Sequence, residues 1–169
     1  ENEKTYSKQK KIQLKEDAEL LHELGNEKFT SGHTEEAANF YEKALEICPI
    51  LFTTSRMKSL GNLAACKFKM SEYVDVVSYC TRALNLCNPI NDNMKYILRR
   101  HQAFEKLGKT GFASQDFHYY LYLIHNDLES DSEEDIARCA SITKNQREKR
   151  AVLLNRAVKH YVFDCMKQE

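Results

Sequence analysis

The sequence predicts an all-α fold, a right-handed superhelix of three antiparallel helix pairs followed by a long C-terminal helix. Three observations carry this reading. The 169 residues include only five Gly and two Pro, too few breakers for the many tight turns of a strand-rich chain. Hydrophobic residues make up 42% and charged residues 30%, a globular balance, and the length suits one domain with a core of its own. One pattern of small, aromatic and turn residues also recurs three times in phase.

The first copy holds Leu24-Gly25, Gly32, Ala37, Tyr41, Ala44 and Pro49. The second places Asn62, Tyr73, Val76, Cys80 and Ala83 on corresponding positions, with Pro89 one place late. The third supplies Gly108, Ala113, Phe117 and Tyr120. The anchors Ala37, Val76 and Ala113 are separated by 39 and 37 residues. A small anchor lets two antiparallel helices approach, and the residue four places on shares its face and fills the space beside it. Gly32 and Gly108 fall between paired helices, where a positive φ ends the first of the two. Such a pattern resembles the tetratricopeptide repeat, whose period is ~34 residues. The surplus is assigned to the linkers around Leu51–Ser55 and Asn88–Asn93.

In chain order, residues 1–17 form a helical leader, and the three repeats occupy about 18–51, 57–90 and 94–126 within an array covering 18–126. Helices are expected at Gln9–Ser31, Thr34–Cys48, Thr54–Met70, Glu72–Cys87, Asn93–Leu107 and Gly111–Asn126. Thr34 and Ser71 are expected as N-caps, each with acids in the turn that follows. Residues 127–132 make an acidic loop and 133–169 a C-terminal extended helix.

The first helix of each pair lines the concave surface of such an array, so a ligand groove needs polar groups there. His22 and Asn26 lie four apart on the first, Asn62 lies on the second, and Lys95 and Arg99 lie four apart on the third. Cations and amides converging from three helices suit a terminal carboxylate and its neighbouring acidic side chain. The segments His22-Glu-Leu-Gly-Asn26, Gly61-Asn62-Leu-Ala-Ala and Lys95-Tyr-Ile-Leu-Arg99-Arg100 resemble the carboxylate clamp of tetratricopeptide heat-shock co-chaperones. That family's pattern is Lys-x-x-x-Asn, Asn and Lys-x-x-x-Arg. The resemblance covers about Ala18–Asn126. It implies a non-catalytic adaptor that binds the Glu-Glu-Val-Asp C-terminal tail of a seventy- or ninety-kilodalton cytosolic chaperone, with no cofactor.

His22 stands where the family has Lys. An unperturbed His is mostly uncharged near neutral pH, so peptide affinity is expected to rise as pH falls from about 8 to about 6. The alternative is a scaffold for a different partner, with the clamp degraded at His22.

The acids Asp127, Glu129, Asp131, Glu133, Glu134 and Asp135 surround Ser130 and Ser132. They read either as a solvated loop with Ser132 capping the last helix or as an acid-directed phosphorylation site at the two serines. Thr143–Arg150 lacks apolar side chains, after which Leu154, Val158, Tyr161, Val162 and Cys165 form a helical stripe. That stripe is left with three fates: docking on a partner, homodimerisation, or packing back on the third repeat. The charged terminal helix, the polar leader Tyr6–Lys15 and the Leu-Ala-Ala-Cys run after Asn62 resemble the tetratricopeptide region of FKBP-type immunophilins, which implies a separate prolyl isomerase domain upstream.

Other functions find little support. Lys plus Arg and Asp plus Glu both number 25, so the basic excess of a nucleic-acid binder is missing, although Lys144, Arg147, Lys149, Arg150 and Arg156 cluster late in the chain. No phosphate-binding glycine loop, zinc-protease motif or nucleophile elbow occurs. His118 and His125 read as aromatic-face packers rather than metal ligands. The six cysteines form no C-x-x-C pair and read as small reduced core residues. No apolar run reaches ~18 residues, and the expected location is cytoplasmic.

Overall fold

The computed structural model describes residues 6–86 and 94–127, with side chains up to Tyr120. Six helices account for them: α1 (Lys8–Thr30), α2 (Thr34–Ile47), α3 (Thr53–Lys69), α4 (Tyr73–Leu86), α5 (Met94–Lys106) and α6 (Thr110–Asp127). No strand occurs among the described residues, and every helix start and end falls within one residue of its expected position. The expected C-terminal helix lies outside the described residues. So do Ser130, Ser132, Leu154, Val158, Tyr161, Val162, and the side chain of His125.

The three turns within the helix pairs repeat one backbone hydrogen-bond pattern. Gly32 N–H donates to the Phe29 carbonyl at 3.2 Å and His33 N–H to that of Lys28 at 2.9 Å. Ser71 and Glu72 donate likewise to Phe68 and Lys67, as do Gly108 and Lys109 to Glu105 and Phe104. This paired 5→2 and 6→1 bonding closes the last turn of a helix and satisfies carbonyls that would otherwise lack partners. It requires a left-handed residue, and φ is 86° at Gly32, 64° at Ser71 and 66° at Gly108. The second helix starts at once, because the His33, Glu72 and Lys109 carbonyls accept from the N–H groups of Ala37, Val76 and Ala113.

Two expected caps are corrected by this geometry. Thr34 is the first residue of α2, and the capping position belongs to His33, which makes no side-chain cap bond. Ser71 lies in the turn, occupying the left-handed position that Gly32 and Gly108 fill in the other repeats.

Each helix packs against the next, and α1 also borders α3 while α3 borders α5. The first helices therefore form one continuous inner layer. Between the layers, the anchors Ala37, Val76 and Ala113 are all buried, as are Tyr41, Cys80, Leu60, Leu63 and Phe104. Cys48, Cys66 and Cys80 are free and buried, and burial pushes the Cys66 thiol up to about 11 and the Cys80 thiol to about 12. They behave as core side chains, not nucleophiles. Phe117 departs from expectation: it is 40% exposed, with its ring against His101 at 5.1 Å. Tyr41, its counterpart, is enclosed because α1 presents the bare backbone of Gly25 to the ring. A Cβ there would lie 2.6 Å from Tyr41 Cε1.

A buried ion pair inside the third repeat is also hydrogen-bonded to the second. Arg100 is 1% exposed and Asp116 is fully buried. Arg100 Nε and Nη2 donate to the two Asp116 oxygens at 2.8 and 2.7 Å, while Nη1 donates to Thr81 Oγ1 at 3.1 Å. The guanidinium of α5 is thus held by α4 and α6 together, in the two-pronged geometry that compensates desolvation.

Two stability measurements test these assignments. Ser71→Gly relieves a left-handed L-residue that costs about 1 kcal/mol, so the urea-unfolding free energy is expected to rise by about that amount. Asp116→Ala removes the carboxylate that compensates the buried Arg100 charge, and is expected to lower the same quantity by about 3–5 kcal/mol.

Candidate functional site

The inner layer carries every polar residue that the sequence singled out for peptide binding. Helical spacing puts His22 and Asn26 one turn apart on the inner face of α1 and Lys95 and Arg99 one turn apart on α5, with Asn62 between them on α3. A hollow of about 260 Å³ opens over this face, lined by His22, Lys58, Gly61, Asn62, Lys95, Tyr96 and Arg99. A larger hollow, of about 440 Å³, includes Glu42, Glu46, Arg56 and Arg82 in its lining. Its two acids and two bases balance, which gives no single ligand charge a preference.

The amide residues form a network. Tyr41 donates its hydroxyl to Asn26 Oδ1 at 2.7 Å, and Asn62 Nδ2 donates to the same oxygen at 2.8 Å. Burial pushes the Tyr41 hydroxyl up to about 12, so it remains a donor. Asn62 Nδ2 also lies 3.1 Å from His22 Nε2, and Asn26 Nδ2 lies 3.4 Å from His22 Nδ1. Turning the Asn62 amide over would set two carbonyl oxygens against each other, which fixes its orientation. Asn26 does not line the hollow; it braces Asn62 from behind.

Both ring nitrogens of His22 therefore face amide N–H groups, and a second ring proton would meet donors. Burial, helped by the Lys58 charge, holds the His22 pKa below the ordinary histidine value; Glu23 and Glu19 oppose this. The expected rise in affinity between pH 8 and 6 consequently moves to more acidic conditions, because the free groove keeps His22 neutral over most of that interval. His22 is thus placed with the other four residues, but as a neutral hydrogen-bonding partner.

On the opposite wall, Arg99 Nη1 donates to the Gly61 carbonyl at 2.8 Å, which leaves the rest of the guanidinium edge toward the hollow. Gly61 also admits the Tyr96 ring, against which any Cβ would collide, and the Tyr96 hydroxyl reaches the Met57 carbonyl at 3.2 Å. The Lys95 ammonium stands 5.1 Å from the centre of that ring on an exposed stem. Lys58, which the sequence reading passed over, completes the lining. It precedes Asn62 by four residues, as His22 precedes Asn26 and Lys95 precedes Arg99, and carrying that spacing onto α3 is enough to find it. Among the described residues, no group of acids, cysteines and histidines fits a metal ion, and no helix is long and apolar enough to cross a membrane.

Six helices with three repeated turns define a helical-repeat array, and comparison with known proteins agrees. Residues 18–50 match the tetratricopeptide repeat family, so the chain carries a tetratricopeptide repeat. It is similar to Protein unc-45 homolog B of Danio rerio, 33% identical over 100 residues, or 59% of this chain and 10% of that protein. It is also similar to Mitochondrial import receptor subunit TOM34, with 30% identity over 113 residues to the Rattus norvegicus protein and 32% over 111 residues to that of Homo sapiens. Those alignments cover 65% and 64% of this chain. The chain spans 10% of the length of the first relative and 36% of the rat protein.

The depressed His22 value has a consequence for stability. The unfolded chain protonates this histidine near about pH 6.5, whereas the folded chain resists, so the unfolded state binds more protons as pH falls. Stability is expected to decline as pH drops through about 6.5 and to level off below the folded pKa. His22→Gln removes this contribution, so its urea midpoint is expected to fall less than the parent's between about pH 7.5 and 5.5.

Proposed function

We propose that this chain is a non-catalytic adaptor module that holds the acidic C-terminal tail of a partner protein in its inner hollow. Following the co-chaperone resemblance, the partner is a cytosolic heat-shock chaperone of the seventy- or ninety-kilodalton class, whose tail ends in Glu-Glu-Val-Asp. The observation that carries this reading is the lining of the hollow. Lysine and arginine side chains and the Asn62 amide face one space, and no carboxylate side chain lines it. A terminal carboxylate entering there meets charge-assisted donors from α5, the Lys95 ammonium and the Arg99 guanidinium. Asn62 is held in place by Asn26, so its amide is oriented before a ligand arrives.

A second reading follows from His22. Its ring lies against Asn26 and Asn62 and is held neutral, so the position is occupied without supplying the cation of the co-chaperone pattern. On this reading the module is a scaffold that grips a partner without needing a free C-terminus. The terminal stripe, Leu154 to Val162, would then be its other contact, with a partner protein or with a second copy of this chain. The co-chaperone reading keeps the location cytoplasmic, and the narrower resemblance to FKBP-type immunophilins implies a prolyl isomerase domain upstream.

Titration calorimetry of the chain with a free-acid Glu-Glu-Val-Asp peptide and with its C-terminal amide separates the two. Charge-assisted hydrogen bonds contribute ~1.5–3 kcal/mol each, so Lys95→Ala combined with Arg99→Ala is expected to weaken free-acid binding by about 100-fold or more. Equal affinity for acid and amide, or binding that survives the double substitution, would reject the tail-binding reading in favour of the scaffold.

A further inference from the structure

We infer that Lys58 on α3 is a specificity-determining residue of the groove, contacting a carboxylate of the acidic peptide and supplying the cation that His22 does not. The inference rests on the tail-binding reading and adds to it a residue outside the co-chaperone pattern. It moves the centre of positive charge from the first repeat to the second and third.

Position comes first. Lys58 lines the same hollow as Asn62, Lys95 and Arg99. Its place one turn before Asn62 puts it in line with His22 on α1 and Lys95 on α5, while Asn26, Asn62 and Arg99 form the neighbouring row. The inner face thus carries two parallel rows, reading His, Lys, Lys and Asn, Asn, Arg across the three helices.

Availability comes second. Lys58 is exposed, and among the described residues no carboxylate stands within ion-pair distance of it. Glu19 is close enough to feel its charge. That carboxylate is already engaged by Lys15 at 3.2 Å and by the Ser55 hydroxyl at 2.8 Å. The ammonium keeps its three donors for a ligand. By contrast, Lys67 on the same helix is paired with Glu72 at 2.7 Å and approaches Asp75. Outside the hollow, Lys69 lies over the Phe29 ring at 3.8 Å, so of the three lysines of α3 it is Lys58 that faces the hollow with no partner among the described residues.

Charge comes third. With His22 neutral, the hollow holds Lys58, Lys95 and Arg99 as its three cations. A single carboxylate would leave two of them crowded together without compensation. A ligand carrying several carboxylates fits this distribution, the terminus at Lys95 and Arg99 and an acidic side chain at Lys58.

The test uses the 169-residue chain and the Glu-Glu-Val-Asp free-acid peptide, read by calorimetry at two salt concentrations. Lys58→Ala is expected to weaken binding about tenfold or more and to flatten its salt dependence, whereas Lys58→Arg retains both. Because the side chain is exposed, the melting temperature of either variant is expected to match the parent's. If Lys58→Ala binds as tightly as the parent while the Lys95 and Arg99 double substitution loses the peptide, Lys58 has no such role and tail binding stands. If the parent binds acid and amide equally, tail binding fails, and the role of Lys58 falls with it.

Discussion

The inner face of this array depends on two missing Cβ atoms. At Gly25 the bare backbone of α1 admits the Tyr41 ring, whose hydroxyl then reaches Asn26; at Gly61 the bare backbone of α3 admits the Tyr96 ring from α5. Each glycine immediately precedes an asparagine of the groove. The close approach of backbone and ring therefore sets how far each helix stands from its neighbour at the point where the polar side chains emerge. Gly61 has a second part in this, since its carbonyl anchors Arg99. An alanine at either position would push a tyrosine outward and take a hydrogen-bonded groove residue with it.

Much of this architecture was legible in the sequence. Its periodicity lives in small residues and turns, and those obey local geometry: Gly32 and Gly108 announce left-handed turns, and Ala37, Val76 and Ala113 announce close helix contacts. Ser71 escaped notice because a serine in a left-handed turn looks like a helix cap until it is aligned with the two glycines. Arg100 was hidden for a related reason. It follows Arg99 directly, yet one residue of helix rotates the side chain by about 100°, enough to carry it from the groove wall into the core beside Asp116. Phe117 failed in the opposite direction: its spacing from Ala113 matches that of Tyr41 from Ala37, but no facing glycine admits its ring. Burial at such positions depends on the opposing helix and not on the residue's own register.

The site was partly readable, and its limits were electrostatic. Spacing alone brought His22, Asn26, Asn62, Lys95 and Arg99 to one face. It did not reveal that the amides and the imidazole would satisfy one another, which turns His22 from a candidate cation into a neutral member of a hydrogen-bonded wall. Lys58 lies outside the family pattern, which has a single asparagine on α3, so the resemblance alone does not point to it. The chain as a whole is electrically balanced, and the positive potential of the hollow arises from arrangement: among the described residues, Lys15, Lys28 and Lys67 pair with nearby acids, while Lys58 and Lys95 over the hollow do not.

The anchoring of Arg100 by Thr81 and Asp116 also bears on how quickly the groove can work. Arg100 sits next to Arg99 on α5, so the contact that pins one side chain in the core also fixes the azimuth of the helix presenting the other. Under the proposed peptide-binding function, a guest at the inner face would meet a wall already assembled. Association with such a wall needs no rearrangement step, so the arrival rate is governed by diffusion, orientation and long-range attraction, and variants of the exposed residues differ mainly in how long the guest stays.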